Sequence, residues 1–579
     1  MIDTTNRNAA LASALIEELA RCGVTTAVLS PGSRSTPIAL ALDREPGIAL
    51  QVVLDERSAG FVALGASLAE GVPALVACTS GSAAANLHPA VVEADQAGVP
   101  LIVLTSDRPP ELRGIGAGQT IDQIGLYGAA ARWFSEVGTH DADYTGLMHM
   151  RSTGDRAYGE ATRGRGPVHL NLAWRDPLGP EERRSEITAA EPIALDGRSR
   201  RRPLTVPIQG REPGDALNTA LAEAVSSAER GVIVAGRHLE PDLPGAIAAL
   251  SASAGFPILA DPTSQLRFGP HERRDVICAY DLIARDQPKE LAPDLVVRFG
   301  DMPTSKPLRA WIETAQVDQI VIDPPGRWNE PTRLAGAFVR ADAVAVAVAL
   351  AEATKAPGHD WADRWTAAEA TAQEAIDEVL GEIDALNEPA LHRSLGAQFA
   401  SGDRVLLASS MPVRDAEAYL RGGDDDVRFF SNRGANGIDG LISTACGIAT
   451  GCRGTTWVVL GDLALAHDLG GLAALRTASA SIRLVVIDNG GGGIFDFLPQ
   501  AGQIESERFE RLFTTPSRLD FEQVAGLFGL TYMEIGQLAH LDRLADLSRV
   551  LAHVRVERDA NVEIHRRIAE AVGDALAGQ

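Results

Sequence analysis

Cysteine is scarce, with five in 579 residues: Cys22, Cys78, Cys278, Cys446 and Cys452. None forms a C-x-x-C pair, so neither a zinc site nor a disulfide framework is expected, and free buried thiols are. No apolar run approaches the roughly 20 residues that span a bilayer. The start, Met1-Ile2-Asp3-Thr4-Thr5-Asn6, lacks the basic end and apolar core of a secretory signal. The expectation is a cytoplasmic protein with no membrane insertion. Positive charge is in deficit, 53 Lys and Arg against 77 Asp and Glu, for a net charge of −24. That argues against a nucleic-acid or anionic-membrane surface, while leaving room for a locally basic pocket. No G-x-x-x-x-G-K-[ST] occurs, so a P-loop is excluded. Gly114-Ile115-Gly116-Ala117-Gly118 is not G-x-G-x-x-G and does not directly follow a strand, so NAD-dependent oxidoreduction lacks its fingerprint. Short repeats and low-complexity tracts are absent as well.

What is present is an ordinary globular composition, 45% hydrophobic and 22% charged. At about 150 residues per domain, the length suggests roughly three to four domains. Short apolar runs alternate with longer Ala- and Leu-rich stretches. Expected strands are Thr25–Leu29, Ala74–Cys78, Leu101–Thr105, Val232–Ala235, Leu295–Phe299, Ile320–Ile322, Arg404–Leu407, Trp457–Leu460 and Leu484–Ile487. Continuous rather than alternating apolar runs are the pattern of strands covered on both faces, as in parallel sheets flanked by helices. The fold class is therefore α/β, with three doubly wound domains and mostly parallel sheets. A polar stretch at about 179–214, including Arg198-Ser199-Arg200-Arg201-Arg202, reads as a solvated linker. A second boundary falls near Lys355–Asp363, before a long helix at about Trp361–Leu386. The expected domains are 1–185, 205–350 and 360–579.

The strongest signal lies at two strand ends. The run Trp457–Leu460 ends in Gly461-Asp462, and Leu484–Ile487 ends in Asp488-Asn489 followed by Gly490 to Gly493; Asn489 comes 27 positions after Asp462. Successive parallel strands joined by a helix place their C-terminal ends side by side, where ligands bind. Asp462, Asn489 and a carbonyl at Gly491 offer hard oxygens of the kind Mg²⁺ takes while keeping phosphate and water in its shell. The glycines let backbone N–H groups approach a diphosphate. Together these features resemble the fingerprint of thiamine diphosphate enzymes. Such enzymes also need a glutamate that hydrogen-bonds the cofactor's aminopyrimidine, placed at a strand-to-helix junction in another domain. Gln51-Val52-Val53-Leu54-Asp55-Glu56 offers Glu56, before a helix of small residues. Alone, an Asp-Glu pair there could simply serve the helix dipole. Cys78-Thr79-Ser80-Gly81 is a second small-residue turn of this type, with Thr79 and Ser80 as further cofactor contacts.

Four segments make a closer resemblance: Ser30–Pro37, Thr105–Leu112, Ser431–Gly440 and Gly493-Ile494-Phe495, with Asp261-Pro262 and Ser410–Arg414 also fitting. They are similar to the 2-succinyl-5-enolpyruvyl-6-hydroxy-3-cyclohexene-1-carboxylate synthase family. The resemblance implies a thiamine diphosphate-binding fold and Mg²⁺ (or Mn²⁺). It implies decarboxylation of 2-oxoglutarate and conjugate addition of the succinyl carbanion to isochorismate, in menaquinone biosynthesis. It also implies a homodimer or dimer of dimers. By the same resemblance, Glu56 and Gln119 are catalytic. Ile438 wedges the cofactor, Ser33, Arg34 and Arg433 hold isochorismate, and Lys306 reaches the same pocket. Ser410 and Arg414 hold 2-oxoglutarate, Ile494 is an apolar wall, and Arg108 joins a cation set suited to substrates that together carry four carboxylates. Asp488-Asn489-Gly490 stands where Asn-Asn-Asn is common, and Gly118 where some members have Asn; Asp488 is left out of the metal set. The alternatives are another thiamine enzyme, such as an acetohydroxyacid synthase or a 2-oxoacid decarboxylase, and a non-catalytic cofactor-binding relative. No feature demands a flavin.

Overall fold

The computed structural model describes residues 2–206, 212–355, 358–476 and 480–578. Residues 207–211 and 356–357, parts of the two expected boundaries, lie outside the described residues. Three six-stranded sheets are present among those residues, and every named pairing is parallel. The first contains β1 (Thr26–Leu29), β2 (Ala49–Val52), β3 (Ala74–Cys78), β4 (Leu101–Asp107), β5 (Trp133–Glu136) and β6 (Pro167–Ala173), in the order β2-β1-β3-β4-β6-β5. The second contains β7 (Gly231–Ala235), β8 (Ile258–Ala260), β9 (Val276–Ile277), β10 (Leu295–Phe299), β11 (Asp318–Ile322) and β12 (Ala335–Val339), in the order β12-β11-β10-β7-β8-β9. The third contains β13 (Arg404–Leu407), β14 (Arg428–Phe430), β15 (Thr456–Gly461), β16 (Ile482–Asp488), β17 (Thr531–Ile535) and β18 (Arg549–Arg555), in the order β14-β13-β15-β16-β18-β17. The expected apolar runs form β1, β3, β4, β7, β10, β11, β13, β15 and β16, all interior strands and nearly all buried along their length. Helices on both faces supply the cover that this burial needs.

The chain divides into two compact units. The first comprises Met1–Gln209, Asn432–Gly451 and His467–Ser479; the second comprises Gly210–Ser431, Cys452–Ala466 and Ala480–Gln579. The first unit holds the first sheet, and the second holds the other two. Among the described residues, no helix is long and apolar enough to cross a membrane. Among the described residues no disulfide forms: Cys78, Cys278 and Cys446 are buried, while Cys22 and Cys452 are partly exposed.

In the first unit the small-residue helix Glu56–Glu70 lies against the helix Leu441–Ala449. The contact is backbone on backbone. A Cβ added at Gly65 would lie 1.9 Å from the Thr444 carbonyl oxygen, and one at Gly447 would lie 1.9 Å from the Val62 carbonyl oxygen. Gly65→Ala must push the helices apart. We expect a loss of at least about 1–3 kcal/mol, seen as a melting temperature lower by several degrees.

The expected linker departs from its reading. Its first part packs on the first unit: Ala194 joins the core of the first sheet. Fully buried Arg151 donates to the Ala194 carbonyl at 3.0 Å and to the Leu195 carbonyl at 3.1 Å, while Arg21 donates to the Asp196 and Arg198 carbonyls. Docked arginines thus do what solvent was expected to do. Farther along, the Thr205 N–H donates to Asp155 at 2.7 Å. Burial, helped by the charge of Glu18, pushes the Asp155 carboxyl up to about 6 from an ordinary 3.8. A raised carboxyl contributes stability that is full below the unfolded value and is lost as pH rises through the folded one. Asp155→Asn, which keeps an acceptor oxygen, should therefore be the more stable protein at pH 7.5. Its advantage should vanish by about pH 4, as thermal melts across that range would show. The long helix after the second boundary runs Asp360–Gly381, ending at a glycine rather than continuing to Leu386.

Candidate active site

Parallel pairing sends the loops after β1, β2, β3 and β4 to one edge of the first sheet. These loops carry Ser33 and Arg34, Glu56, Thr79 and Ser80, and Arg108. The loop after β1 seats directly on the turn after β3, since a Cβ at Gly32 would lie 2.3 Å from that of Thr79. Arg108 donates to the Ser80 hydroxyl, and the Gln119 amide donates to the Ser80 carbonyl at 3.1 Å. Arg34 donates to the Trp174 carbonyl at 2.9 Å and stands 3.6 Å from Asp176. Burial and then the charge of Arg34 lower the Arg108 pKa, so the two guanidiniums feel each other. Arginines on neighbouring strand-end loops suit an anionic ligand. Arg108 does not pair with Glu111, which Arg175 takes bidentately at 2.6 and 3.0 Å.

Asp55 caps the helix after β2, accepting from the Arg57 and Ser58 N–H groups at 2.9 and 3.4 Å. Glu56 is thereby released from capping. It is half-buried, next to Leu54, which is 83% exposed. Its charge adds to burial in pushing up the Cys78 thiol at the end of β3. The loop of Arg433 is pinned just beyond that residue, where buried Glu93 accepts from the Gly434 and Ala435 N–H groups at 2.8 and 2.6 Å. Ile438, in the same loop, is only half-buried and Ser33 is exposed, so neither is spent in a core.

In the second unit, the register sets Gly461 of β15 beside Ile487 of β16. Asp462 and Asn489 therefore follow neighbouring strand ends. Asp462 is 1% exposed. Burial, then the nearby charge of Asp488, raises its carboxyl to about 7. Its Oδ2 accepts from Ser517 at 3.4 Å. Its Oδ1 and the Asn489 Oδ1 are both buried without a hydrogen-bond partner. Two orphaned oxygens at adjoining strand ends fit a hard divalent cation, because burying acceptors unpaired is otherwise costly. The Asn489 amide nitrogen is occupied, donating to Glu388 at 2.9 Å. Gly491, at φ +134°, is closed to any side chain, since a Cβ would lie 2.2 Å from the Thr514 carbonyl oxygen. Asp488 looks elsewhere: it bonds His553 at 2.8 Å and accepts from the Gly490 N–H at 3.2 Å.

Ser410, at φ +77°, stands before the helix Met411–Tyr419, and its carbonyl accepts from Arg414. Ser305 caps the helix Lys306–Ala315 and donates to Asp281 at 2.7 Å. Burial lowers the Arg414 pKa, opposed by the charges of Asp415 and then Asp281. Lys306 is exposed and Ile494 half-buried.

Several residues that shape these loops carry no signal in the sequence. Buried Gln123 accepts from the Gly81 N–H at 2.9 Å and donates to Asn171 at 2.9 Å, holding the turn of Ser80. Glu388 and Thr514 support the second site through contacts distant in sequence.

A family profile described as "Thiamine pyrophosphate enzyme, N-terminal TPP binding domain" matches residues 9–126. Another, "Middle domain of thiamine pyrophosphate", matches residues 216–406. A 2-succinyl-5-enolpyruvyl-6-hydroxy-3-cyclohexene-1-carboxylate synthase of Chloroflexus aurantiacus is 42% identical over 98% of this chain and 96% of its own length. Proteins of the same name from Geobacillus kaustophilus and Haloarcula marismortui are 39% and 38% identical, covering 98% and 99% of this chain and 98% and 99% of their own lengths. The chain belongs to the 2-succinyl-5-enolpyruvyl-6-hydroxy-3-cyclohexene-1-carboxylate synthase family of thiamine pyrophosphate enzymes.

Proposed function

We propose that the protein decarboxylates 2-oxoglutarate and adds the remaining four-carbon unit to isochorismate, giving 2-succinyl-5-enolpyruvyl-6-hydroxy-3-cyclohexene-1-carboxylate. The observation that carries the substrate class is a pair of arginines on loops at one edge of the first sheet, Arg34 donating to the Trp174 carbonyl at 2.9 Å and Arg108 to the Ser80 hydroxyl. Asp462, Asn489 and the Gly491 carbonyl would hold Mg²⁺ or Mn²⁺, whose charge would offset that of a diphosphate. Bound thiamine diphosphate supplies the electron sink for loss of CO₂. The chain's residues then bind, orient and move protons. Glu56 holds a proton at the aminopyrimidine ring nitrogen. Thr79 and Ser80 line the cofactor, Gln119 hydrogen-bonds at the reacting centre, and Ile438 supports the cofactor's bent shape. Ser33, Arg34, Arg108, Arg433 and Lys306 fix isochorismate; Ser410 and Arg414 fix 2-oxoglutarate, against an apolar wall at Ile494. Fixed cations offset the repulsion of two polyanions brought together.

On this reading residues 1–185 form the pyrimidine-binding domain, 205–350 a central α/β domain and 360–579 the diphosphate- and metal-binding domain. The active form is a homodimer or dimer of dimers in the cytoplasm. Support comes from Leu54 and Val52, 83% and 52% exposed just before Glu56: apolar side chains beside a catalytic loop suit a protein contact. The substrate assignment is tested by Arg34→Ala and Arg108→Ala. A lost charge-assisted hydrogen bond is worth about 1.5–3 kcal/mol. We expect KM for isochorismate to rise about tenfold or more in each, with thiamine diphosphate affinity unchanged. A normal isochorismate KM in both variants would refute the assignment.

A further inference from the structure

Glu388 is buried to 1% exposure at the first position of the helix Glu388–Leu395. Its carboxyl is not needed there as a cap. Asn387 accepts from the Ala390 N–H at 2.9 Å, and the Glu388 N–H goes to Asn561 at 3.0 Å. The carboxyl instead accepts from the Asn489 amide nitrogen at 2.9 Å, across 101 residues of sequence. Its Oε2 is buried without a hydrogen-bond partner, as is Oδ2 of Asp415, and burial first, then the charge of Asp415, raises the Glu388 carboxyl. Asp415 is held in turn at 2.8 Å by His565. A buried acid beside the charge of another is an expensive way to fill space; an apolar side chain of equal volume is often as stable or more so.

The amide of Asn489 has two ends. With its nitrogen given to Glu388, its oxygen is the end left buried and unpaired beside Asp462. We propose that Glu388 is a positioning residue for the metal site: by engaging the Asn489 amide nitrogen, it turns the amide oxygen toward the divalent cation. The proposal rests on the assignment of Asp462 and Asn489 to that cation. An amide at position 388 keeps the contact, accepting from Asn489 with its oxygen. A thioether of the same length does not.

The test is Mn²⁺ binding, read by electron paramagnetic resonance with thiamine diphosphate present, in wild type, Glu388→Gln and Glu388→Met. Removing a partner that orients a metal ligand typically costs about 10- to 100-fold in metal affinity. We expect that loss in Glu388→Met, a dissociation constant within about threefold of wild type in Glu388→Gln, and no fall in the melting temperature of the metal-free Met variant. Asn489→Ala combined with Glu388→Met should bind Mn²⁺ no worse than Asn489→Ala alone, because the two act through one oxygen. If Glu388→Met does not fold, Glu388→Leu takes its place. Wild-type affinity in the variant lacking the acceptor, equal losses in the Gln and Met variants, or additive losses in the double variant would overturn the proposal. Wild-type protein that takes up no Mn²⁺ with the cofactor would overturn the metal assignment itself, a separate result.

Discussion

Glu56→Gln is expected to stop turnover, lowering kcat by at least about a hundredfold, while cofactor and metal still bind. Glutamine keeps the length and an acceptor oxygen, but its amide cannot give and take the proton that the aminopyrimidine nitrogen requires. The structure separates this loss from a folding defect. Asp55, not Glu56, satisfies the N–H groups at the start of the helix Glu56–Glu70. The proposed cation ligands lie at other strand ends, in the second unit. Melting temperature and Mn²⁺ uptake in the presence of thiamine diphosphate should therefore match wild type, and steady-state rates should not. Wild-type-like turnover would remove Glu56 from the chemistry. Lost cofactor binding with lost turnover would recast it as a binding residue.

Asp462→Ala is expected to have the opposite signature: metal-dependent cofactor binding disappears, and turnover disappears with it. Asp462 is the anionic member of the proposed oxygen set, and its Oδ1 is buried without a hydrogen-bond partner. Burial of a carboxylate with one oxygen unpaired costs the metal-free protein stability that a bound cation restores. The metal-free variant should therefore melt at or above the wild-type temperature. A ligand that binds only the native state raises stability with its concentration. Wild type should accordingly gain melting temperature on addition of Mg²⁺ with thiamine diphosphate, and Asp462→Ala should gain none. An undiminished shift in the variant would show that the cation binds elsewhere.

The parts of this arrangement that were legible in the sequence share one physical property: they are written in short windows. Interior parallel strands such as β3, β4 and β15 are buried on both faces, so they read as continuous apolar runs. The adjacency of the strand ends carrying Asp462 and Asn489 was legible because successive apolar runs read as neighbouring parallel strands, and the register sets Gly461 beside Ile487. Three interior strands were not legible: His169 and Asn171 interrupt β6, β8 has only three residues, and Arg and His break the apolar run of β18. Edge strands were not legible either. β9 has two residues, β14 three, and β17 alternates exposed with buried positions. The docking of the 179–206 stretch escaped notice because its carbonyls are satisfied by Arg21 and Arg151, far away in sequence. Glu388 escaped for the same reason: an ordinary Glu at a helix start gains its meaning only from a contact with Asn489. Asp488 was an ambiguity of charge that only a third strand resolved, since His553 on β18 takes its carboxylate.

The most direct measurement combines the purified protein with thiamine diphosphate, Mg²⁺, 2-oxoglutarate and isochorismate, following CO₂ release and product mass. The account predicts CO₂ release that depends on both substrates and a new product equal in mass to isochorismate plus the four-carbon unit. Efficient consumption of pyruvate, with no adduct from the 2-oxoglutarate and isochorismate pair, would contradict it and point to an acetohydroxyacid synthase-like activity.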